Sequence, residues 1–298
     1  MGKKSILIFL TALAVGIIAA ATIVVIKVRV HESRLTSLAN TQEYLDSVAD
    51  YEDAVRSVSS TFATNPLKKP DVHFGILMYH QVDDHPPLKQ LRFTVLPSVF
   101  EQQISFLLDQ GYTFVTVNTA LELFTASSTP PDKTLVLTFD DGYRSFYTHV
   151  FPILKKYNIP ATEYVITQDI GKHGSLTWSM LRELENSGLV EIGSHTVNHL
   201  SLKSISEDKQ RYQLSESRTL LEKELHVPIT TVAYPFGLYN EATKEIAEQL
   251  GYKGAVSIFS GDKPTSTAKF AWRRVAITNN DIGQRLLQTL YIAFEAVK

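Results

Sequence analysis

Cysteine is absent from the 298-residue chain, which excludes thiolate metal ligands, a cysteine nucleophile and disulfide bridges. A chain without disulfides suits an exported protein that does without oxidative folding. Neither sign of charge dominates. There are 29 Lys and Arg against 31 Asp and Glu, a formal net charge of −2, and no basic stretch interleaves with aromatic residues. A nucleic-acid partner is therefore not suggested. Histidine is unevenly spread, and none follows His226. The length fits one large domain, such as an α/β barrel, or two small ones.

The single long apolar run lies at the N-terminus. After Gly2-Lys3-Lys4, residues 5–26 carry no charge and are almost wholly apolar. That is about the 20 residues needed to cross ~30 Å of hydrocarbon. Cleavable signal peptides have shorter apolar cores of ~7–15 residues. The pattern predicts a cytoplasmic tip over 1–4 and an uncleaved transmembrane signal anchor over 5–27, with Ala19-Ala20-Ala21 leaving a cleaved, secreted form open. Lys3 and Lys4 favour a cytoplasmic N-terminus, although Lys27 and Arg29 on the other flank blunt the bias. The expected location is the cell membrane, single-pass, with the catalytic domain outside. Over residues 30–63, Leu35, Leu38, Leu45, Val48, Val55, Val58 and Phe62 recur at helical spacing. This predicts a helical stem. A coiled-coil dimer is the alternative, but Gln42 and Glu52 interrupt its seam. A linker over 64–71, with Asn65-Pro66 and Lys69-Pro70, ends the helix.

From residue 72 onward, short strand-like runs alternate with helical patterns. Strands are expected at 74–79, 134–139, 161–166, 189–193, 229–234, 254–258 and 274–277. Helices are expected from near Pro97 and at 151–157, 179–187, 206–225, 241–250 and 282–296. Such alternation argues for a mostly parallel sheet or barrel with helices outside, where chemistry collects past the C-terminal ends of strands. Three segments fall there: Asp140-Asp141, His195, and Pro235-Phe236-Gly237.

The first is Thr138-Phe139-Asp140-Asp141-Gly142-Tyr143. An Asp-Asp-Gly can be a polar turn, but here it follows a rigid apolar strand. Adjacent side chains on an extended chain diverge, so one carboxylate can bind an ion while the other sits beside it. The second is Ser194-His195-Thr196-Val197-Asn198-His199. Residues four apart on a helical turn share one side, so both imidazoles can meet one metal. Two imidazoles and a carboxylate suit Zn2+ best, with Co2+, Ni2+ or Fe2+ possible, and they leave a position open for water. The chemistry suggested is hydrolysis by an activated water, with a spare carboxylate as base.

These two segments resemble the first two signature motifs of the polysaccharide deacetylases, carbohydrate esterase family 4, whose unit is the NodB-homology domain. The likeness spans about residues 72–277. It implies a distorted (β/α)7-type barrel for the domain at 72–298, and hydrolysis of N-acetyl, less often O-acetyl, groups on a sugar polymer. It further implies Asp140 as catalytic base and Asp141, His195 and His199 as metal ligands. Tyr234-Pro235-Phe236-Gly237-Leu238-Tyr239-Asn240 resembles the third motif, with Ala233 where the family has an Arg that steadies the base. Arg273 or Arg274 is open as the replacement. The backbone N–H of Phe236 is the implied oxyanion donor, and Tyr239 is expected nearby at the substrate.

The family's general acid is commonly a His near the domain's C-terminus, which this chain lacks. The substitute is His80, at the end of the first apolar strand in Leu77-Met78-Tyr79-His80-Gln81-Val82. Closing a barrel brings first and last strands together. A packed strand-end histidine is the alternative, and His73, His85, His149 and His173 are expected at the surface. The Met-Tyr-His start and Tyr-Pro-Phe-Gly resemble the subgroup of poly-β-1,6-N-acetylglucosamine deacetylases of biofilm matrices. The expected function is removal of N-acetyl groups from N-acetylglucosamine units of an extracellular or cell-wall polysaccharide. An O-acetyl esterase on xylan or peptidoglycan and a non-catalytic membrane-tethered glycan-binding module are the rivals.

Overall fold

The computed structural model describes residues 72–85, 93–124, 128–258 and 261–296. The expected tip, anchor, stem and linker (1–4, 5–27, 30–63 and 64–71) lie outside these residues. No helix among the described residues is long and apolar enough to cross a membrane.

Strands β1 (Phe74–Tyr79), β5 (Thr134–Phe139), β6 (Ala161–Val165), β7 (Val190–Ser194), β8 (Thr231–Ala233), β9 (Gly254–Val256) and β10 (Val275–Ala276) form the main sheet, in the order β10-β1-β5-β6-β7-β8-β9. Their ladders are all parallel. β4 (Thr113–Val115) pairs with the first half of β5, and β2 (Gln81–Val82) pairs separately with β3 (Thr94–Val95). β5 is buried at every position, as a parallel strand covered on both faces must be.

Seven strands therefore lie along the path, as the resemblance implies, but an eighth, β4, wedges beside β5. It was missed because it is three residues long and its first residue, Thr113, is exposed, so no apolar run marks it. The sheet comes close to closing. Val256 bridges Trp272, the Ser257 N–H donates to the Trp272 carbonyl at 2.8 Å, and three residues later β10 joins β1.

Between the strands run α1 (Pro97–Asp109), α2 (Val117–Leu123), α3 (Phe151–Tyr157), α4 (Trp178–Asn186), α5 (Glu207–Leu225), α6 (Glu241–Gln249) and α7 (Gln284–Tyr291). Pro97 starts α1 at a position where its missing N–H costs nothing. Asn240 and Thr243 start α6 with a capping box. Phe139 on β5 meets Tyr79, Phe100 and Phe146 at ring distances of 5.2, 5.7 and 4.9 Å, joining sheet to helices immediately behind Asp140. That aromatic layer is what makes the end of β5 a firm support.

Candidate metal centre and active site

Asp140 continues the β1–β5 ladder by one residue. Its N–H donates to the Tyr79 carbonyl at 3.1 Å, which sets His80 opposite it across the strands. The side chain is buried and engaged by Arg274 through a two-pronged ion pair, Nη1 to Oδ1 and Nη2 to Oδ2, each 2.7 Å. Arg274 is itself buried. It also donates from Nε to the Ser257 carbonyl at 2.8 Å and from Nη1 to the Thr138 hydroxyl at 3.1 Å. Burial alone would push the Asp140 carboxyl up. The Arg274 charge, aided by His195 and His80, more than offsets this and holds it well below the usual carboxylate range.

Arg273, the other candidate, points elsewhere, donating to the carbonyls of Gly261 and Ala293 at 2.9 and 3.2 Å. The charge that the third motif lacks at Ala233 therefore comes from Arg274, carried in by the segment that closes the sheet.

Past Asp140 the backbone turns over. Asp141 has φ 78° and Gly142 φ 74°. The positive φ favours glycine at 142, and a Cβ there would stand a tight 3.3 Å from the Val165 side chain. The turn swings Asp141 away from Asp140, which separates the two carboxylates. Asp141 Oδ1 lies 3.5 Å from His195 Nε2 and 3.6 Å from His199 Nε2. The three offer ligand atoms within 4.8 Å of one another. The imidazoles do share one side, but on a tight turn rather than a helix. Thr196 and His199 are left-handed, at φ 67° and 58°, and the rings meet at 4.8 Å.

The chemistry of this cluster fits a cation. Asp141 Oδ1 is buried without a hydrogen-bond partner. His195 Nδ1 lies 2.8 Å from the Ala233 carbonyl, which can only accept, so Nδ1 carries the hydrogen and Nε2 turns a lone pair toward Asp141. Two acceptors facing each other at 3.5 Å need positive charge between them. Burial, together with the neighbouring His195, pushes His199 down to about 4, so its imidazole is neutral and able to ligate at physiological pH.

Phe236 sits at the edge of the cluster in a left-handed conformation, φ 59°, with its ring 4.5 Å from the His199 ring. Gly237 follows, also left-handed, and a Cβ there would meet Ile258 at 2.4 Å. His80 is half-buried, its ring tilted against that of Phe93 at 5.4 Å, and close enough for its charge to act on both Asp140 and His199. Its neighbour β10 lies alongside β1, so the first and last strands do meet. Tyr239 packs on Tyr234 at 5.1 Å, and its charged neighbours are Asp262, Lys244 and Glu241 rather than the cluster. His73, His85 and His173 are exposed, whereas His149 is half-buried in the turn before α3.

Two groups at the site carried no signal in the sequence. Tyr143 hydrogen-bonds the Asp141 carboxylate, and burial with that charge pushes its phenol up. Glu163 on β6 is buried, and no side chain hydrogen-bonds its carboxyl; only the Gly142 backbone N–H acts on it as a donor. Burial, then Asp140 and Asp141, raise it well above the usual range. An isolated Glu in an apolar strand gives no warning that it lies behind the Asp-Asp-Gly turn.

Comparison with known proteins agrees with this geometry. Residues 127–255 match the polysaccharide deacetylase family model. YxkH of Bacillus subtilis (strain 168), which bears the polysaccharide deacetylase name, is 33% identical over 213 residues, covering 72% of each chain. The poly-β-1,6-N-acetyl-D-glucosamine N-deacetylase of Staphylococcus aureus (strain MSSA476) is 31% identical over 179 residues, covering 56% of this chain and 61% of that one. Among solved structures, the Streptococcus pyogenes deacetylase PplD in complex with acetate superposes with a TM-score of 0.67. It is 32% identical, and the match covers 74% of this chain and 99% of that one.

Proposed function

The chain belongs to the polysaccharide deacetylase family, carbohydrate esterase family 4, and from that premise we propose that it removes N-acetyl groups from N-acetylglucosamine units of an extracellular or cell-wall polysaccharide. The observation that carries this reading is the division of labour at the end of β5. Asp141 faces two imidazoles, while Asp140, held ionised by Arg274, lies beside them. A glycan-binding module needs no such buried, separately steadied carboxylate.

A divalent ion, Zn2+ by the two-nitrogen, one-oxygen donor set, would be held by Asp141, His195 and His199. It would supply Lewis acidity and lower the pKa of a water toward ~7. Asp140 is the base, taking a proton from the water whose oxygen attacks the acetamide carbonyl. The Phe236 N–H donates to the oxygen that becomes negative, a contribution of about 3–4 kcal/mol for a well-placed donor. His80 gives a proton to the sugar nitrogen as the C–N bond breaks, so the leaving group departs as an amine. The products are acetate and a glucosamine unit. The named activity of the Staphylococcus aureus relative supports the poly-N-acetylglucosamine substrate, and the acetate in the PplD structure supports the leaving acyl group. Tyr239, packed beyond the cluster, is assigned to the substrate rim.

The apolar run at 5–26 supports a single-pass anchor over 5–27 that holds the domain outside the membrane, where such polymers lie. The test is a panel of N-acetylated and O-acetylated oligosaccharides, namely β-1,6-linked poly-N-acetylglucosamine, chitin oligomers, peptidoglycan fragments and acetylated xylan. N-deacetylation of the glucosamine polymers supports the proposal. Activity confined to O-acetyl substrates would make the protein an esterase.

A further inference from the structure

Helix α5 carries an unusual inner face. Between buried Leu214, Leu221 and Leu225 stand Gln210, Gln213 and Ser217, all exposed by 3% or less. Polar side chains are costly to bury unless each finds a partner, and two of these find theirs around the turn that carries the histidines. Gln213 Oε1 accepts from both the Val197 and Asn198 N–H groups, at 3.1 and 3.2 Å. Ser217 shares a hydrogen bond with the hydroxyl of Ser194, which in turn accepts from the Thr196 N–H at 3.2 Å.

The remaining N–H groups of the turn complete the set. His195 donates to the Val165 carbonyl at 2.9 Å, and His199 donates to the Thr196 hydroxyl at 3.2 Å. One side-chain oxygen, that of Gln213, therefore holds two of the five N–H groups from His195 to His199, and two of the three that lie between the histidines. The turn contains two left-handed residues, Thr196 and His199, a conformation that persists only when its surroundings enforce it.

We infer that Gln213 is a positioning residue for the metal centre: its amide oxygen clamps the turn that holds His195 and His199 at ligand spacing. The inference rests on the reading of Asp141, His195 and His199 as metal ligands. Gln213 touches neither metal nor substrate. It sets the ligand geometry through the backbone, so its loss acts on metal affinity before it acts on chemistry.

The test uses the full chain stripped with a chelator and titrated with Co2+, read by the visible absorption of the bound ion. Gln213→Met keeps the shape of the side chain and removes the acceptor. It should weaken Co2+ binding by about 10–100-fold, the range for outer partners of metal ligands, and change the Co2+ spectrum. Gln213→Glu restores an acceptor at the same reach and should bind within a few-fold of wild type. If Gln213→Met does not fold, Gln213→Asn, which withdraws the amide by one methylene, carries the same expectation as Gln213→Met. Gln213→Met with an unchanged Co2+ affinity and spectrum, whatever its melting temperature, overturns the clamp alone. A wild-type protein that binds no Co2+ overturns the metal-ligand reading as well.

Discussion

Replacing Arg274 with Met removes the ion-pair partner of Asp140 and leaves its buried carboxylate without the charge that does most to offset burial. The pair is two-pronged, at 2.7 Å on both arms, and both residues are at most 3% exposed, so solvent cannot screen the loss. Breaking such a buried pair from one side costs about 3–5 kcal/mol, a large share of a typical total of ~5–15 kcal/mol. The sign with pH follows from the direction of the shift. In the wild type the Asp140 carboxyl is depressed, so its contribution to stability is present above the unfolded value of ~3.9 and is lost as pH falls toward the folded value. Without Arg274, burial dominates and raises the carboxyl, so the variant loses stability as pH rises above ~4. At about 1.4 kcal/mol per pH unit, the same energy moves the acid limb of kcat/KM up by roughly two to four pH units. Urea unfolding from pH 4 to 8 and a pH–rate profile on an acetylated chito-oligomer measure the two effects. Adding Asp140→Asn to Arg274→Met should recover part of the lost stability. An Arg274→Met enzyme with an unmoved acid limb and wild-type stability at neutral pH would refute the steadying role.

Other outcomes follow from the same geometry. Asp141→Ala should lose bound metal, read by elemental analysis of the purified protein. His80→Ala should retain the metal and the fold while kcat falls by about 10²–10⁴-fold, the range for a general acid; full turnover would remove His80 from the mechanism. Burial and the neighbouring Asp140 and Asp141 raise the Glu163 carboxyl, so its presence costs stability as pH rises above the unfolded value of ~4.3. In chelator-treated protein Glu163→Gln should therefore raise the melting temperature at pH 8 and leave it nearly unchanged at pH 4. Phe139→Ala, behind the Asp-Asp-Gly turn, should cost about 3–5 kcal/mol in urea unfolding, as a fully buried aromatic does.

What the sequence discloses about this site depends on how local the determinants are. Asp140, Asp141, His195 and His199 stand in short motifs at the ends of strands, and the structure places them there. The helices expected at 151–157 and 241–250 stand at 151–157 and 241–249, with a Pro in the first turn of one and an Asn capping the other. Arg274 was legible only as half of an Arg-Arg pair. Which arginine reaches Asp140 depends on how residues 272–276 cross from β9 to β1, a non-local matter that no window of sequence contains. The histidine turn looked like a helical turn because the i, i+4 spacing is the same, but left-handed Thr196 and His199 produce the same convergence by another path. Gln213 and Tyr143 were silent, since a Gln on a polar helix and a Tyr after a glycine are ordinary residues until the fold brings them to the site. β4 lacks the hydrophobic run that would reveal it.

The most direct test of the account is acetate release from β-1,6-linked N-acetylglucosamine oligomers by the full chain, with free amines counted in parallel. Measurements are made before chelation, after it, and after adding back Zn2+. Expected are one free amine per acetate, loss of both on chelation, recovery with the metal, and no release by Asp140→Asn in any state. Undiminished release from chelated protein, or full release by Asp140→Asn, would contradict it.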